Sequence, residues 1–275
     1  MNKTEEIPFG THVLRIQKQS DTFVGIVVGN SKERFADVNR NDLINKLRSA
    51  ALQSDEKFVG YDGAVKRFLQ LFPQGFDDPN YLGDQIFGER QYKLKMAQQV
   101  SETFPVNGWR DLKTPTEAAL KLFRGTNLID RFTKTNLQNV LRGPKGLKFL
   151  ELCHEFSNGS VEIACRELLN EFKSDGVAKW PALTYLAFFW KPETHMFLKP
   201  AFTKEYARRV GHPFAQDYAS EPNRETYSSL LDMTKETAEK IANVPASRIL
   251  DNIDIHSFMW VVIDYTDDDV GPVED

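Results

Sequence analysis

Cysteine is scarce in this sequence: 275 residues contain only Cys153 and Cys165. Two thiols cannot build a disulfide framework or a four-cysteine zinc site. Both fall at apolar positions of helical patterns, which predicts buried, reduced side chains in a cytoplasmic protein. Long apolar runs are also missing. No stretch approaches the ~18–20 residues of a membrane span, so no membrane partner is expected. The opening residues, Met1 to Pro8, lack the apolar segment of a secretory signal. Phosphate-binding glycine loops, a His-Glu-x-x-His pair and a nucleophile elbow are absent. The five histidines (His12, His154, His195, His212 and His256) are scattered without ligand spacing, so neither a metal nor a cofactor is expected.

What is present is phenylalanine and segregated charge. Twenty Phe residues in a chain that is 41% hydrophobic predict a core built on phenyl rings. The net charge is −4, but it is unevenly spread. Residues 121–148 carry Lys121, Arg124, Arg131, Lys134, Arg142, Lys145 and Lys148 against Asp130 alone. Residues 176–212 carry Lys179, Lys191, Lys199, Lys204, Arg208 and Arg209 against Glu193 and Glu205. No basic residue follows Arg248. Such segregation lets an acidic protein bind a polyanion locally, or it marks nothing more than solvated helix faces.

The pattern predicts a mainly α protein, a multi-helix domain with a small N-terminal antiparallel β element (α+β). Residues 11–16, 22–28 and 34–38 read as a three-stranded meander, with Gly29-Asn30 as the best hairpin signal. From Asn41 onward the apolar spacing is helical. Asn41 and Asp62 are expected helix caps, and Thr114-Pro115-Thr116-Glu117 is an expected capping box with Pro at the first helical position. The 74–88 stretch reads as a loop. Glu89, Arg90, Tyr92 and Lys93 read as a salt-bridged, solvated helix face. The expected organisation is 1–110 as meander plus helices, 111–264 as a helical domain, and 265–275 as a disordered acidic tail.

Residues 176–209 carry the strongest functional pattern. Gly176-Val177-Ala178-Lys179 precedes an apolar aromatic run, Trp180–Trp190. Then come Lys191-Pro192-Glu193-Thr194-His195-Met196 and a basic helix ending at Arg208-Arg209. This arrangement resembles the helix-hairpin-helix DNA glycosylase superfamily. Its members carry a Gly-rich hairpin, a hydrophobic helix and a loop with a catalytic Asp two residues before a His. In one branch a hairpin lysine is the nucleophile. Glu193 stands in the place of the Asp, Lys179 near the lysine, and Ala178 where the hairpin has its second Gly.

The resemblance implies a DNA glycosylase-like enzyme that hydrolyses the N-glycosidic bond of a modified or damaged base, in repair or in defence against modified foreign DNA. Glu193 would stabilise the oxocarbenium-like sugar and activate water. Lys179 could instead attack the anomeric carbon, and His195 would orient the loop. Trp180 and Tyr185 would stack against the extruded base. Phosphate contacts would come from Arg142, Lys145, Lys148, Lys191, Lys199, Lys204, Arg208 and Arg209. Asp254, two residues before His256, is the alternative catalytic acid or a helix cap. The competing reading is a non-catalytic helical module that binds DNA or protein.

Overall fold

The computed structural model describes residues 4–9, 12–28, 34–54, 58–83 and 89–265. It is mainly helical, with one small antiparallel sheet at the N-terminus. The sheet has four strands in the order β1 (Thr4–Phe9), β2 (His12–Gln19), β3 (Thr22–Val28) and β4 (Phe35–Asp37). Strand β1 is additional to the expected meander, and Gly29-Asn30 lies outside the described residues. Helix α1 (Arg40–Ser54) lays Leu43, Ile44, Leu47 and Ala51 on Leu14, Ile16 and Val27. Gly25 permits this approach, because a Cβ there would sit 2.6 Å from Leu47 Cδ1. The cap of α1 is Asn39, whose Oδ1 accepts from the Asn41 amide, rather than Asn41 itself.

The remaining helices build one continuous core from Phe58 to Tyr265. In chain order they are α2 (Gly60–Leu71), α3 (Pro79–Leu82), α4 (Glu89–Thr103), α5 (Pro115–Gly125) and α6 (Arg131–Arg142). Next are α7 (Gly146–Ser157), α8 (Val161–Phe172), α9 (Trp180–Trp190) and α10 (Pro200–Val210). The last three are α11 (Phe214–Asp217), α12 (Arg224–Ile241) and α13 (Asn252–Asp264). Helix α9 is buried at every position from Trp180 to Phe189, and α4, α7 and the 196–198 strand-like segment surround it. Phenyl rings fill this centre as composition predicts: Phe68 alone packs against Phe72, Phe76, Tyr81 and Phe258.

Several expectations are corrected. The two apolar clusters part between α1 and α2, and α2 and α4 belong to the same cluster as α12 and α13. The 74–88 stretch contains α3, capped by Asp78, whose carboxylate accepts from Asn80. Thr114 precedes α5 but its hydroxyl makes no cap bond, and Asp62 lies inside α2, behind Val59. Arg90 and Lys93 do not form a solvated face. Lys93 is buried and donates to Ser257 Oγ at 3.0 Å, and Arg90 reaches Asp254.

Candidate functional site

Helices α8 and α9 are joined by a hairpin over 173–179 whose geometry follows from its residues. The Gly176 amide closes a turn on Lys173 O at 3.2 Å, and Gly176 itself has φ +70°, where a side chain is strained. The space is also taken, since a Cβ on Gly176 would lie 2.5 Å from Asn136 Nδ2 of α6. Val177 is fully buried and pins the hairpin to the core, while Lys179, just before α9, is exposed. The amides of Val177 and Ala178 find no acceptor among the described residues. Ala178 keeps a negative φ, so the missing second Gly costs no strain.

Helix α6 lies against this hairpin. Phe132, Asn136, Asn139 and Gly143 fall on one stripe, with Arg131, Thr135 and Arg142 beside it. Asn136, Asn139, Val140 and Gly143 line an open groove of about 430 Å³, closed on the other side by Pro144, Lys145 and Asp175. Phe132 is 81% exposed, an unusual position for a phenyl ring. Arg131, Arg142 and Lys179 are exposed and make no ion pair within salt-bridge distance among the described residues. Lys179 is close enough to Asp130, the cap of α6, to help hold that carboxyl below its ordinary value against burial. The hydrogen bonds from Thr133 have the larger part in this.

Most of the other expected phosphate contacts are already engaged. Lys145 Nζ donates to Asp175 Oδ2 at 2.7 Å and to Glu171 O at 2.8 Å. Lys148 lies between Glu167 and Glu171 at 3.8 and 3.9 Å. Lys191 Nζ donates to Ser157 O and Asn158 Oδ1, a cation capping the negative end of α7. Lys199 sits 4.4 Å from the centre of the Trp260 ring and Lys204 5.1 Å from that of Tyr218. Arg208 and Arg209 both bind Glu205. Of the eight, Arg142 alone makes no such contact among the described residues.

The candidate catalytic residues are dispersed. Lys179 and Glu193 stand at opposite ends of α9, whose eleven residues span about 16 Å. Segment 191–195 turns straight out of the helix, so Glu193 stays at that far end, exposed and without a hydrogen bond. Trp180 and Tyr185 are core side chains, 1% and 0% exposed, and cannot stack on a base. His195 is buried. Its Nε2 meets Ser157 O at 3.0 Å, and its Nδ1 meets the Tyr227 hydroxyl at 3.0 Å. A carbonyl only accepts, so Nε2 carries the proton and Tyr227 donates to Nδ1, while the Met196 amide donates to Tyr227. Burial holds this imidazole below its usual pKa, hence neutral. It ties the 191–196 loop to the end of α7 and to α12.

Asp254 is an anchor rather than the start of α13. The helix is capped by Asp251, and Asp254 closes the capping box as its third residue. Asp254 Oδ1 takes Arg248 Nη2 at 2.5 Å, Arg90 Nη1 at 3.0 Å and the Tyr81 hydroxyl at 3.1 Å. The carboxylate is fully buried. Burial raises its pKa, and the two arginines oppose that shift. Its Oδ2 accepts from the Asp251 amide at 3.3 Å.

Sequence reasoning missed Phe132, Asn136 and Asn139. Their apolar and amide side chains carry no charge signal, and only the packing of α6 on the hairpin gives them meaning. Among the described residues no three His, Cys, Asp or Glu side chains converge to hold a metal, and no helix is long and apolar enough to cross a membrane. Fold and site together define a helical protein with an exposed hairpin and a cation-flanked helix on one face. No family model matches the chain, and no match was found among curated proteins or solved structures.

Proposed function

We propose that this protein binds the DNA backbone through the 173–179 hairpin and α6, as a glycosylase-like enzyme acting on a modified or damaged base. One juxtaposition carries the reading: the acceptor-free amide of Ala178 lies beside Lys179, which has no salt-bridge partner among the described residues, with Arg131 and Arg142 on the helix that packs there. A free amide donates to a phosphate oxygen, and cations without salt-bridge partners bind the backbone by releasing counterions. Phe132 offers a ring on which an unstacked base can rest.

For the chemistry, Lys179 is the candidate on this face. Its amine can attack the anomeric carbon as the base departs with a proton; the C1′–O4′ bond then breaks, O4′ takes up the proton the nitrogen loses, and the opened sugar is left as an imine that borohydride reduces. Glu193 has no share in such a step. The alternative, a non-catalytic DNA-binding module, is favoured by the burial of Trp180 and Tyr185, which leaves neither free to hold a base.

Fluorescence anisotropy with a labelled duplex tests the binding. Affinity should fall steeply with salt, and Arg131→Glu with Arg142→Glu should weaken it and flatten the slope by about one counterion per lost contact. No retention of wild-type protein at low ionic strength would end the proposal. A borohydride-trapped adduct with a modified or abasic duplex, lost in Lys179→Ala, selects the enzyme over the module.

A further inference from the structure

The groove between α6 and the hairpin differs from two other grooves among the described residues in what it leaves free. The groove between α8 and α12 has its charges paired, Arg224 with Glu162 at 3.8 Å. In the small groove on α10, Arg208 and Glu205 are held in a bidentate pair and Lys204 lies over the Tyr218 ring. In the α6 groove the side-chain amides of Asn136 and Asn139 have no hydrogen-bond partner among the described residues. Asp175 gives Oδ2 to Lys145 and leaves Oδ1 without a donor. The interior therefore holds two amides, each with donor and acceptor side by side, and one spare carboxylate acceptor. Its charge is balanced by the Lys145–Asp175 pair.

A phosphate has no place beside that carboxylate. The unpaired cations lie outside the groove, Arg142 on the flank of α6 and Lys179 at the end of the hairpin. Phosphates thus belong at the rim, and the interior matches the edge of a base. A carboxamide pairs bidentately with the N6 and N7 edge of adenine, and a carboxylate accepts from an exocyclic amine. The volume of about 430 Å³ suits a planar ring entering from one side.

We propose that Asn136 and Asn139, with Asp175, read a base edge in DNA held across the hairpin, and that they select adenine at one position. This rests on the DNA-binding reading above and adds sequence selectivity to it. Asn139 is exposed, so replacing it leaves the core intact. Asn136 also packs on Gly176 and is the less clean probe.

The experiment is selection of bound duplexes from a library randomised over a short window, counted by sequencing, with anisotropy on single duplexes as the check. Wild-type protein should enrich adenine about tenfold at one position. Asn139→Ala should lower that enrichment severalfold and Asn136→Ala with Asn139→Ala should abolish it, both with the salt slope unchanged, because no phosphate contact is removed. Retention of wild type with no base preference overturns this inference but spares the DNA-binding reading. The same holds if the double variant keeps the preference. A wild type that binds no DNA overturns both.

Discussion

Burial has fixed the protonation of four of the five histidines. His154, His195, His212 and His256 all have pKa values below the ordinary 6.5, with desolvation as the leading cause at each. The sign follows directly. The unfolded chain takes up protons first as pH falls, so the stability held by these neutral rings is present above about 6.5 and is lost at lower pH. Thermal unfolding should therefore shift downward as the solution is acidified from neutrality through pH 6. His195→Gln should reduce that dependence at little cost near neutrality, because the amide can still donate to Ser157 O and accept from Tyr227. His195→Ala leaves both partners unpaired and should cost about 1–3 kcal/mol. A transition that does not move with pH in this range would refute the assignment. The same residue illustrates what was legible: an isolated His two residues after Glu193 stood out in the chain, but its partners lie at positions 157 and 227.

At the scale of elements, helix ends decided more than helix interiors. Asp254 looked in sequence like a cap or a catalytic acid. The chain uses Asp251 as the cap, which frees Asp254 to gather Arg90 of α4, Arg248 and Tyr81 of α3 onto the first turn of α13. A lost cap costs about 1 kcal/mol. Removing the carboxylate between two partly buried guanidinium groups should cost more, about 3–5 kcal/mol. Denaturant unfolding of Asp254→Ala against Asp251→Ala measures the difference, and equal losses would show that Asp254 is only a cap. Helix α9 teaches the complementary lesson. Its eleven residues from Trp180 to Trp190 were readable as apolar, and burial on all sides is what such a segment requires. That burial removes Trp180 and Tyr185 from any ligand-binding role.

For the whole molecule, two apolar clusters share no residue. One joins the sheet to α1 and ends at Ala51; the other runs from Phe58 to Tyr265. Since α1 packs on β2, β3 and β4, the helical part keeps its own core when the first cluster is removed. A chain starting at Phe58 should retain cooperative thermal unfolding and the helical circular dichroism signal. A molten, non-cooperative fragment would show that the helical core depends on the sheet.

Periodicity alone determined the class of fold and most of the helices, because the 2-residue and 3.6-residue repeats are local properties of the chain. It also marked the loop before α9, since Gly176 and the apolar run behind it lie within a few residues of each other. Tertiary structure decided which charges remain free. Lys145, Lys148, Lys191, Arg208 and Arg209 look alike in sequence to Arg142 and Arg131, yet they are held by groups at Asp175, Glu167, Ser157 and Glu205. It likewise set Lys179 and Glu193 at opposite ends of a helix and brought Asn136 against Gly176 across forty residues. Charge is written in the sequence, but its neutralisation depends on distance in the fold, and that is fixed only when the core closes.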